Sequence, residues 1–296
     1  MKKVLISGMN GQLMSDLIEV FKKTDKYEIF EYSRGMWDVT NYGESHKIFQ
    51  TIQPDIYFHG ASKHVVDDIL HDPKEACDVN IASIIQLSKL CNQYNATFVH
   101  FSTNYVFSGE NKCRPYQESD KPNPINVYGV TKYAGEQVLE QVCKKYYNFR
   151  VSGLFGKTGS RAKNNMNFPY IILKEIESSS EISRFVSDQY LSFAYTIDVA
   201  ETIEKVFSYE MEYGTYHIVN RDGTTWYDFA KYMYQLLDCK KEIFPIKGDI
   251  FFNASSDRPR YTVLDSKLFY DDRFHIPIWK NAIERFLIEV AVLKED

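Results

Sequence analysis

The stretch KVLISGMNGQLMSDLIEVFKK, residues 3–23, decides the fold. A short apolar run over residues 3–7 stops at Gly8, and Leu13, Leu17, Val20 and Phe21 then share one helical face over residues 12–23. Strand, tight turn and helix in that order begin an α/β domain. Within SGMNGQLM (7–14), Gly8 and Gly11 let backbone approach a pyrophosphate, whose charge is favoured by the free N–H groups and positive dipole end of the helix. Two glycines alone also fit a plain strand-to-helix turn. Dinucleotide folds often carry a third glycine three residues on; here that position is Met14, which is expected to shift the helix or crowd a cofactor.

The alternation continues. YEIFEYS (27–33), DIYFHGAS (55–62), TFVHFST (97–103) and NFRVSGLF (148–155) read as strands, and residues 74–94 have helical spacing through Ala76, Val79, Ile84, Leu87 and Leu90. The pattern predicts a Rossmann-like, doubly wound parallel sheet covered on both faces. From residue 156 the rhythm loosens into a polar loop (156–168), followed by helical segments at 169–177, 198–208, 226–238 and 278–293. The expected organisation is an NAD(P)-binding domain over 1–150 and a smaller mixed α/β substrate domain over most of 151–296, with part of 186–215 rejoining the first.

Composition narrows the partners. A net charge of -5 lacks the basic footprint that nucleic acid requires. The apolar run before Gly8 is too short for a signal peptide, and no stretch approaches the roughly 18 apolar residues of a membrane span, so a cytoplasmic protein with no membrane partner is expected. Five scattered cysteines (Cys77, Cys91, Cys113, Cys143, Cys239) without a C-x-x-C pair suit reduced thiols and no metal site. The 22 tyrosines fit half-buried packing as well as a surface for flat ligands or self-association. Oligomeric state is not legible; IPIWKNAIERFLIEV (276–290) could close the core or bind a second copy in a homodimer.

After the second strand comes YSRGMWDVTN (32–41). An acidic residue at the strand end would accept from the ribose of NAD, whereas Ser33 and Arg34 offer a hydroxyl and a guanidinium to a 2'-phosphate. NADP is therefore expected over NAD, although a lone arginine is usually a solvated charge.

In NVYGVTKYAGE (126–136), Tyr128 and Lys132 lie one helical turn apart. Facing a cofactor cleft, the ammonium and the positive charge of an oxidised nicotinamide are expected to lower the phenol's pKa together and tune it for proton exchange with a substrate oxygen during hydride transfer. On an exposed face the same spacing means nothing. HFSTNYVFSG (100–109) ends a strand with Ser102 and Thr103, so hydroxyl, phenol and ammonium form a donor set for a carbonyl oxygen.

With these residues the sequence resembles the extended short-chain dehydrogenase/reductase superfamily and, within it, the dTDP-4-dehydrorhamnose reductase family. The likeness is carried by Gly8, Gly11, Gln12 and Leu13; by Trp37, Asp38, Val39 and Thr40; by PDIYFHGAS (54–62), STNYVF (102–107) and the ungapped NVYGVTKYAGE; and by SDQYLSF (187–193), GTYHIVNRDGTTWYDFA (214–230) and DRPRYTVLDSKLF (257–269). The resemblance implies Thr103, Tyr128 and Lys132 as catalytic residues, Tyr128 delivering the proton and Lys132 also holding the nicotinamide ribose. It implies a cofactor site of Gly8, Asn10, Gly11, Gln12, Leu13, Asp38, Val39, Gly60, Ala61, Ser62, Lys63, Asn80 and Ser102, beside Ser33 and Arg34. The substrate side would take in His64, Val65, Asn104, Tyr105, Gly153, Asn165 and Arg258, the arginine gripping a diphosphate if it is not an ordinary surface ion pair.

Three departures fall on the substrate side. Asn104 replaces the family's aspartate, Gly153 stands where an aromatic ring belongs, and KHVVDD (63–68) replaces a Tyr-Thr-x-Val-Asp segment. They imply a different sugar or nucleotide. Leu70 replaces an acidic residue of the family's occasional magnesium site, so none is expected. The activity implied is NADPH-dependent reduction of the C4 ketone of a nucleotide-linked 4-keto-6-deoxy sugar, the nucleotide being open among dTDP, UDP, CDP and GDP. The alternatives are a non-catalytic, cofactor-binding regulatory subunit of the same fold and a sugar-nucleotide epimerase or dehydratase.

Overall fold

A computed structural model describes residues 1–110, 114–252 and 257–293; Cys113 lies outside the described residues. In chain order the first half comprises β1 (Lys2–Ser7), α1 (Gln12–Lys22), β2 (Tyr27–Tyr32), α2 (Tyr42–Ile52), β3 (Ile56–His59), α3 (Val66–His71), α4 (Pro73–Cys77), a π-helical turn (Asp78–Ala82), α5 (Ser83–Gln93), β4 (Thr97–Thr103), α6 (Val127–Val142) and β5 (Tyr146–Val151). The second half comprises β6 (Leu154–Phe155), α7 (Phe168–Glu177), β7 (Ile182–Val186), β8 (Tyr190–Ser192), β9 (Ala194–Tyr195), α8 (Thr196–Ser208), β10 (Gly214–His217), β11 (Gly223–Thr225), α9 (Trp226–Leu236), β12 (Glu242–Ile246), α10 (Gly248–Phe251), β13 (Tyr261–Thr262) and α11 (Trp279–Glu289).

Six strands pair in parallel in the order β10-β5-β4-β3-β1-β2. Strand β1 shows why its sequence is continuously apolar rather than alternating. Val4 and Ile6 enter the layer containing Leu17, Phe21, Val199 and Ile203, while Leu5 enters the opposite layer with Trp37, Phe49, Tyr57 and Leu87. All three β1 side chains are fully buried, each contributing about 1.5–3 kcal/mol. Residues 196–217 return to this sheet: α8 packs on α1 and β10 adds the sixth strand.

Two elements differ from the sequence pattern. The helix expected over 74–94 is divided by the π-helical turn, where Ser83 Oγ donates to the Val79 carbonyl at 2.6 Å. The strand expected over 148–155 breaks at Gly153, whose φ of +46° turns the chain so that β6 pairs with β9 instead. A side chain there would also collide, because an added Cβ would lie 2.9 Å from the Phe193 ring and from the Ser192 carbonyl oxygen. The bend leaves no room for the aromatic ring that the resemblance leads one to expect at this position.

A second core gathers around Phe193, Phe229, Phe286 and Trp279 between α7, α9 and α11. Phe193 and Phe229 have ring centroids 4.2 Å apart, and Trp279, Ala282, Ile283, Phe286 and Leu287 all point inward from α11. The aromatic C-terminal segment thus closes this core. Among the described residues no helix is long and apolar enough to cross a membrane.

Candidate active site

Strand order reverses at β1, which lies between β2 and β3, and open α/β sheets bind ligands at such a switch point, beyond the carboxyl ends of their strands. A cavity of about 1440 Å³ opens there. That exceeds the roughly 300–1,000 Å³ of a site for one small molecule, so two ligands fit side by side.

The glycine turn is shaped by close approach. Gly8 has φ +74°, and a Cβ on it would lie 2.8 Å from the Gly60 carbonyl carbon; one on Gly60 would lie 2.4 Å from Met14 Cγ. Met14 is buried over Gly60, so its side chain fills the space that the absence of a Cβ on Gly60 leaves across the sheet. Helix α1 begins at Gly11 with no side-chain cap, which leaves its first N–H groups to an anion. The backbone cradle and uncapped helix fit a dinucleotide pyrophosphate.

Beyond β2, Arg34 Nη2 and Lys63 Nζ converge on Glu75, at 2.7 and 2.5 Å. All three line the cavity, and the two cations hold the Glu75 carboxyl below its ordinary range. Two cations so placed fit a 2'-phosphate. Asp38 lines the same wall; its carboxylate accepts from the Thr40 N–H and hydroxyl, which lowers its pKa.

The catalytic candidates meet at the end of β4. Asn126 Oδ1 accepts from the Gly129 N–H at 2.8 Å and starts α6, presenting Tyr128 and Lys132 to the cavity. The Thr103 hydroxyl lies near enough to Tyr128 to act on its phenol, and the Tyr128 ring meets Tyr105 edge to face at 5.8 Å. In the chain without a cofactor's charge beside it, burial pushes the phenol up to about 12. Lys132 Nζ donates to the Phe101 carbonyl at 2.6 Å, and burial lowers its own pKa to about 8. Beside them Asn104 is buried, its amide joining Thr103 Oγ1 at 3.2 Å to Thr262 Oγ1 at 2.7 Å.

Gly8, Asn10, Gly11, Gln12, Leu13, Arg34, Asp38, Val39, Gly60, Ala61, Ser62, Lys63, His64, Ser102, Thr103, Asn104, Tyr105, Tyr128, Lys132, Gly153 and Arg258 all line this one cavity. Four expected residues do not. Ser33 forms the turn after β2, its carbonyl accepting from the Met36 and Trp37 N–H groups. Val65 starts α3, and Asn165, at φ +58°, is exposed on the loop before α7. Asn80 is a brace behind the cavity: its amide accepts from the Lys63 N–H and donates to the Lys63 carbonyl and Thr131 Oγ1, tying the loop after β3 to α6.

The structure adds residues that no motif marked. Phe168, Trp226, Phe251 and Phe252 form an aromatic compartment on the substrate side, and Arg258 enters it over the Phe252 ring at 4.0 Å. Arg258 Nη2 pairs with Asp67 at 2.9 Å, while its buried Nε has no hydrogen-bond partner. The sequence pattern identifies helical segments here, and nothing local separates Phe168 and Trp226 from their buried neighbours. Among the described residues no three His, Cys, Asp or Glu side chains cluster to hold a metal.

Comparison with known proteins agrees with this geometry. The family described as RmlD substrate binding domain matches residues 1–292. The chain is 30% identical over 289 residues to the spore coat polysaccharide biosynthesis protein SpsK of Bacillus subtilis (strain 168), covering 98% of both chains. It is 27% identical over 301 residues to the dTDP-4-dehydrorhamnose reductase of Escherichia coli (strain K12), covering 97% of both. Among solved structures, the dTDP-4-dehydrorhamnose reductase of Bacillus anthracis str. Ames in complex with NADP superposes with a TM-score of 0.89 at 31% identity, over 97% of this chain and 99% of that one.

Proposed function

The chain belongs to the RmlD substrate binding domain family, and from that premise we propose that it is an NADPH-dependent oxidoreductase of deoxysugar and surface polysaccharide biosynthesis. It reduces the C4 ketone of a nucleotide-linked 4-keto-6-deoxy sugar, as its dTDP-4-dehydrorhamnose reductase relatives are named for doing. The observation that carries the reading is the meeting of Thr103, Tyr128 and Lys132 with the Gly8 turn and the Arg34–Lys63 pair in one cavity.

NADPH would lie with its pyrophosphate on residues 8–13 and its 2'-phosphate toward Arg34 and Lys63, and it supplies the hydride. The chain's own residues handle the proton and the orientation. Tyr128 gives its phenolic proton to the ketone oxygen, with the Thr103 hydroxyl as the second hydrogen-bonding group. A phenol held near 12 stays protonated at neutral pH, which suits a proton donor. Lys132 supplies positive charge as the phenolate forms. Asn104 fixes the Thr103 hydroxyl, and its amide cannot serve as the carboxylic acid that a dehydratase needs there. Arg258, with Nε unpartnered, suits the substrate's diphosphate, and the aromatic compartment suits its base. A cytoplasmic location is part of this reading, and it is supported by the NADPH and nucleotide-sugar reactants the reading assigns.

The test is loss of NADPH absorbance with freshly generated 4-keto-6-deoxy sugars on dTDP, UDP, CDP and GDP. Turnover is expected with dTDP, the carrier in the relatives' names. No turnover with any carrier, despite NADPH binding, would shift the assignment to a regulatory subunit.

A further inference from the structure

Residues 257–262 touch the supports of the catalytic candidates at both ends. At one end the Asp257 carbonyl accepts from Asn126 Nδ2 at 2.8 Å, and Asn126 is the cap from which α6 presents Tyr128 and Lys132. At the other end Thr262 Oγ1 accepts from Asn104 Nδ2 at 2.7 Å, and Asn104 Oδ1 in turn accepts from the Thr103 hydroxyl at 3.2 Å. Between these ends Arg258 enters the cavity. The hydroxyl–amide–hydroxyl chain is buried along its length, with Thr262 at 2%, Asn104 at 4% and Thr103 at 6% exposure.

The segment has little freedom of its own. The Tyr190 N–H donates to the Arg260 carbonyl at 2.7 Å, and Thr262 pairs with Leu191 where β13 joins β8. It also lies against the loop after β4, where a Cβ on Gly109 would come within 2.7 Å of the Arg260 nitrogen. Thr262 is thus a fixed acceptor, and it decides how the Asn104 amide lies. With Nδ2 committed to Thr262, Oδ1 is the end left for Thr103. The Tyr105 N–H donates to the same Thr103 oxygen at 3.2 Å, so two bonds fix the hydroxyl and one of them depends on Thr262. Without that acceptor the amide is free to turn over and offer Thr103 a donor in place of an acceptor.

We propose that Thr262 is a positioning residue for the reduction: through Asn104 it sets the Thr103 hydroxyl beside Tyr128, from the same segment that carries Arg258 to the substrate. The proposal rests on the reductase reading. Thr103 and Asn104 line the cavity and Thr262 does not, so Thr262 acts on the reactants only through its partner. A misplacement of about 1 Å at a reacting centre can cost about a hundredfold in rate, which makes the orientation of one hydroxyl matter to the chemical step. Other groups hold the reactants, the Gly8 turn the cofactor and Arg258 the sugar nucleotide, so the loss of Thr262 falls on kcat rather than on KM. The tie between Asp257 and Asn126 places the Tyr128 helix in the same frame. Acid, catalytic hydroxyl and diphosphate grip are therefore braced by one stretch of chain.

A double-mutant cycle in the full chain tests this. Thr262→Val keeps the shape of the side chain and removes its hydroxyl; it is expected to lower kcat at least tenfold with KM unchanged for NADPH and for the sugar nucleotide. Thr262→Ser keeps the acceptor and is expected to stay within twofold of the unaltered chain. In a Thr103→Val background, Thr262→Val is expected to change kcat less than twofold, because the group through which it acts is gone. A folded Thr262→Val with unaltered kcat, or an equal loss in both backgrounds, overturns the proposal; Thr262→Ala carries the same expectations if the valine variant does not fold. A second readout needs no turnover. In methyl NMR of threonine-labelled chain, the Thr103 methyl resonance, assigned by its absence in Thr103→Val, is expected to move by more than a linewidth in Thr262→Val and to stay in place in Thr262→Ser. An unmoved methyl overturns the proposal. If the unaltered chain reduces no keto sugar, the reductase reading falls and the methyl resonance still decides whether Thr262 sets Thr103.

Discussion

Lys132 donates to the backbone carbonyl of Phe101 at 2.6 Å, while Tyr128 shares the cavity with Thr103. The strand end thus holds the cation, and the phenol remains an acid. Tyr128→Phe is expected to lower kcat by about 10²–10⁴-fold while NADPH binds normally by fluorescence titration. Because burial brings Lys132 down to about 8, wild-type kcat should decline as pH rises through that value. A flat rate from pH 7 to 9 would remove Lys132 from the mechanism.

Arg34 and Lys63 share one carboxylate, that of Glu75. Arg34→Ala should weaken NADPH about 10–100-fold, the worth of a charge-assisted phosphate contact, and leave NADH nearly unchanged. Glu75→Gln should tighten NADPH by releasing both cations. Equal losses for the two cofactors in Arg34→Ala would show that the arginine does not read the 2'-phosphate.

Arg258 lies against Phe252 and Asp67 at the substrate end of the cavity. Arg258→Met keeps much of the apolar stem and removes the fork, so KM for the sugar nucleotide should rise about 10–100-fold with NADPH affinity intact. An unchanged KM would reduce Arg258 to the ion pair alone.

Three buried histidines make the fold acid-sensitive. Burial, aided by a nearby cation, lowers His59 and His217 to about 3 and His100 well below its ordinary value. In the unfolded chain each binds a proton near pH 6.5, so below that pH the unfolded state holds up to three more protons than the folded one. Stability should therefore fall as pH drops from about 6.5, by up to about 4 kcal/mol per unit, and urea unfolding at pH 7.5, 6.5 and 5.5 measures it. His217→Gln should shallow the slope by about a third; pH-independent midpoints would show that these rings are protonated in the folded state.

Local sequence carried the parts whose chemistry is local. Hydrophobic period distinguished β1 from α1, and the Gly8 turn, the Tyr128–Lys132 spacing and the Ser102–Thr103 strand end were legible because each is set within a few bonded residues. Asn80 counts among the cofactor-site residues by its motif position, which does not tell whether the amide points at a ligand or at Lys63. Gly153 reads as a lost ring until its positive φ and the nearby Phe193 show that no ring would fit.

The sequence by itself determined the layers, the phosphate turn and the candidate acid, since these follow from periodicity and from steric rules acting along the chain. Only the tertiary structure decided what those groups experience. Met14 is accommodated by Gly60, 46 positions away in sequence, and burial by surrounding elements raises the Tyr128 phenol. His59, His100 and Asn148 form a row only through strand register. Desolvation, close approach and register depend on distances between residues remote in sequence, and no local pattern encodes those distances.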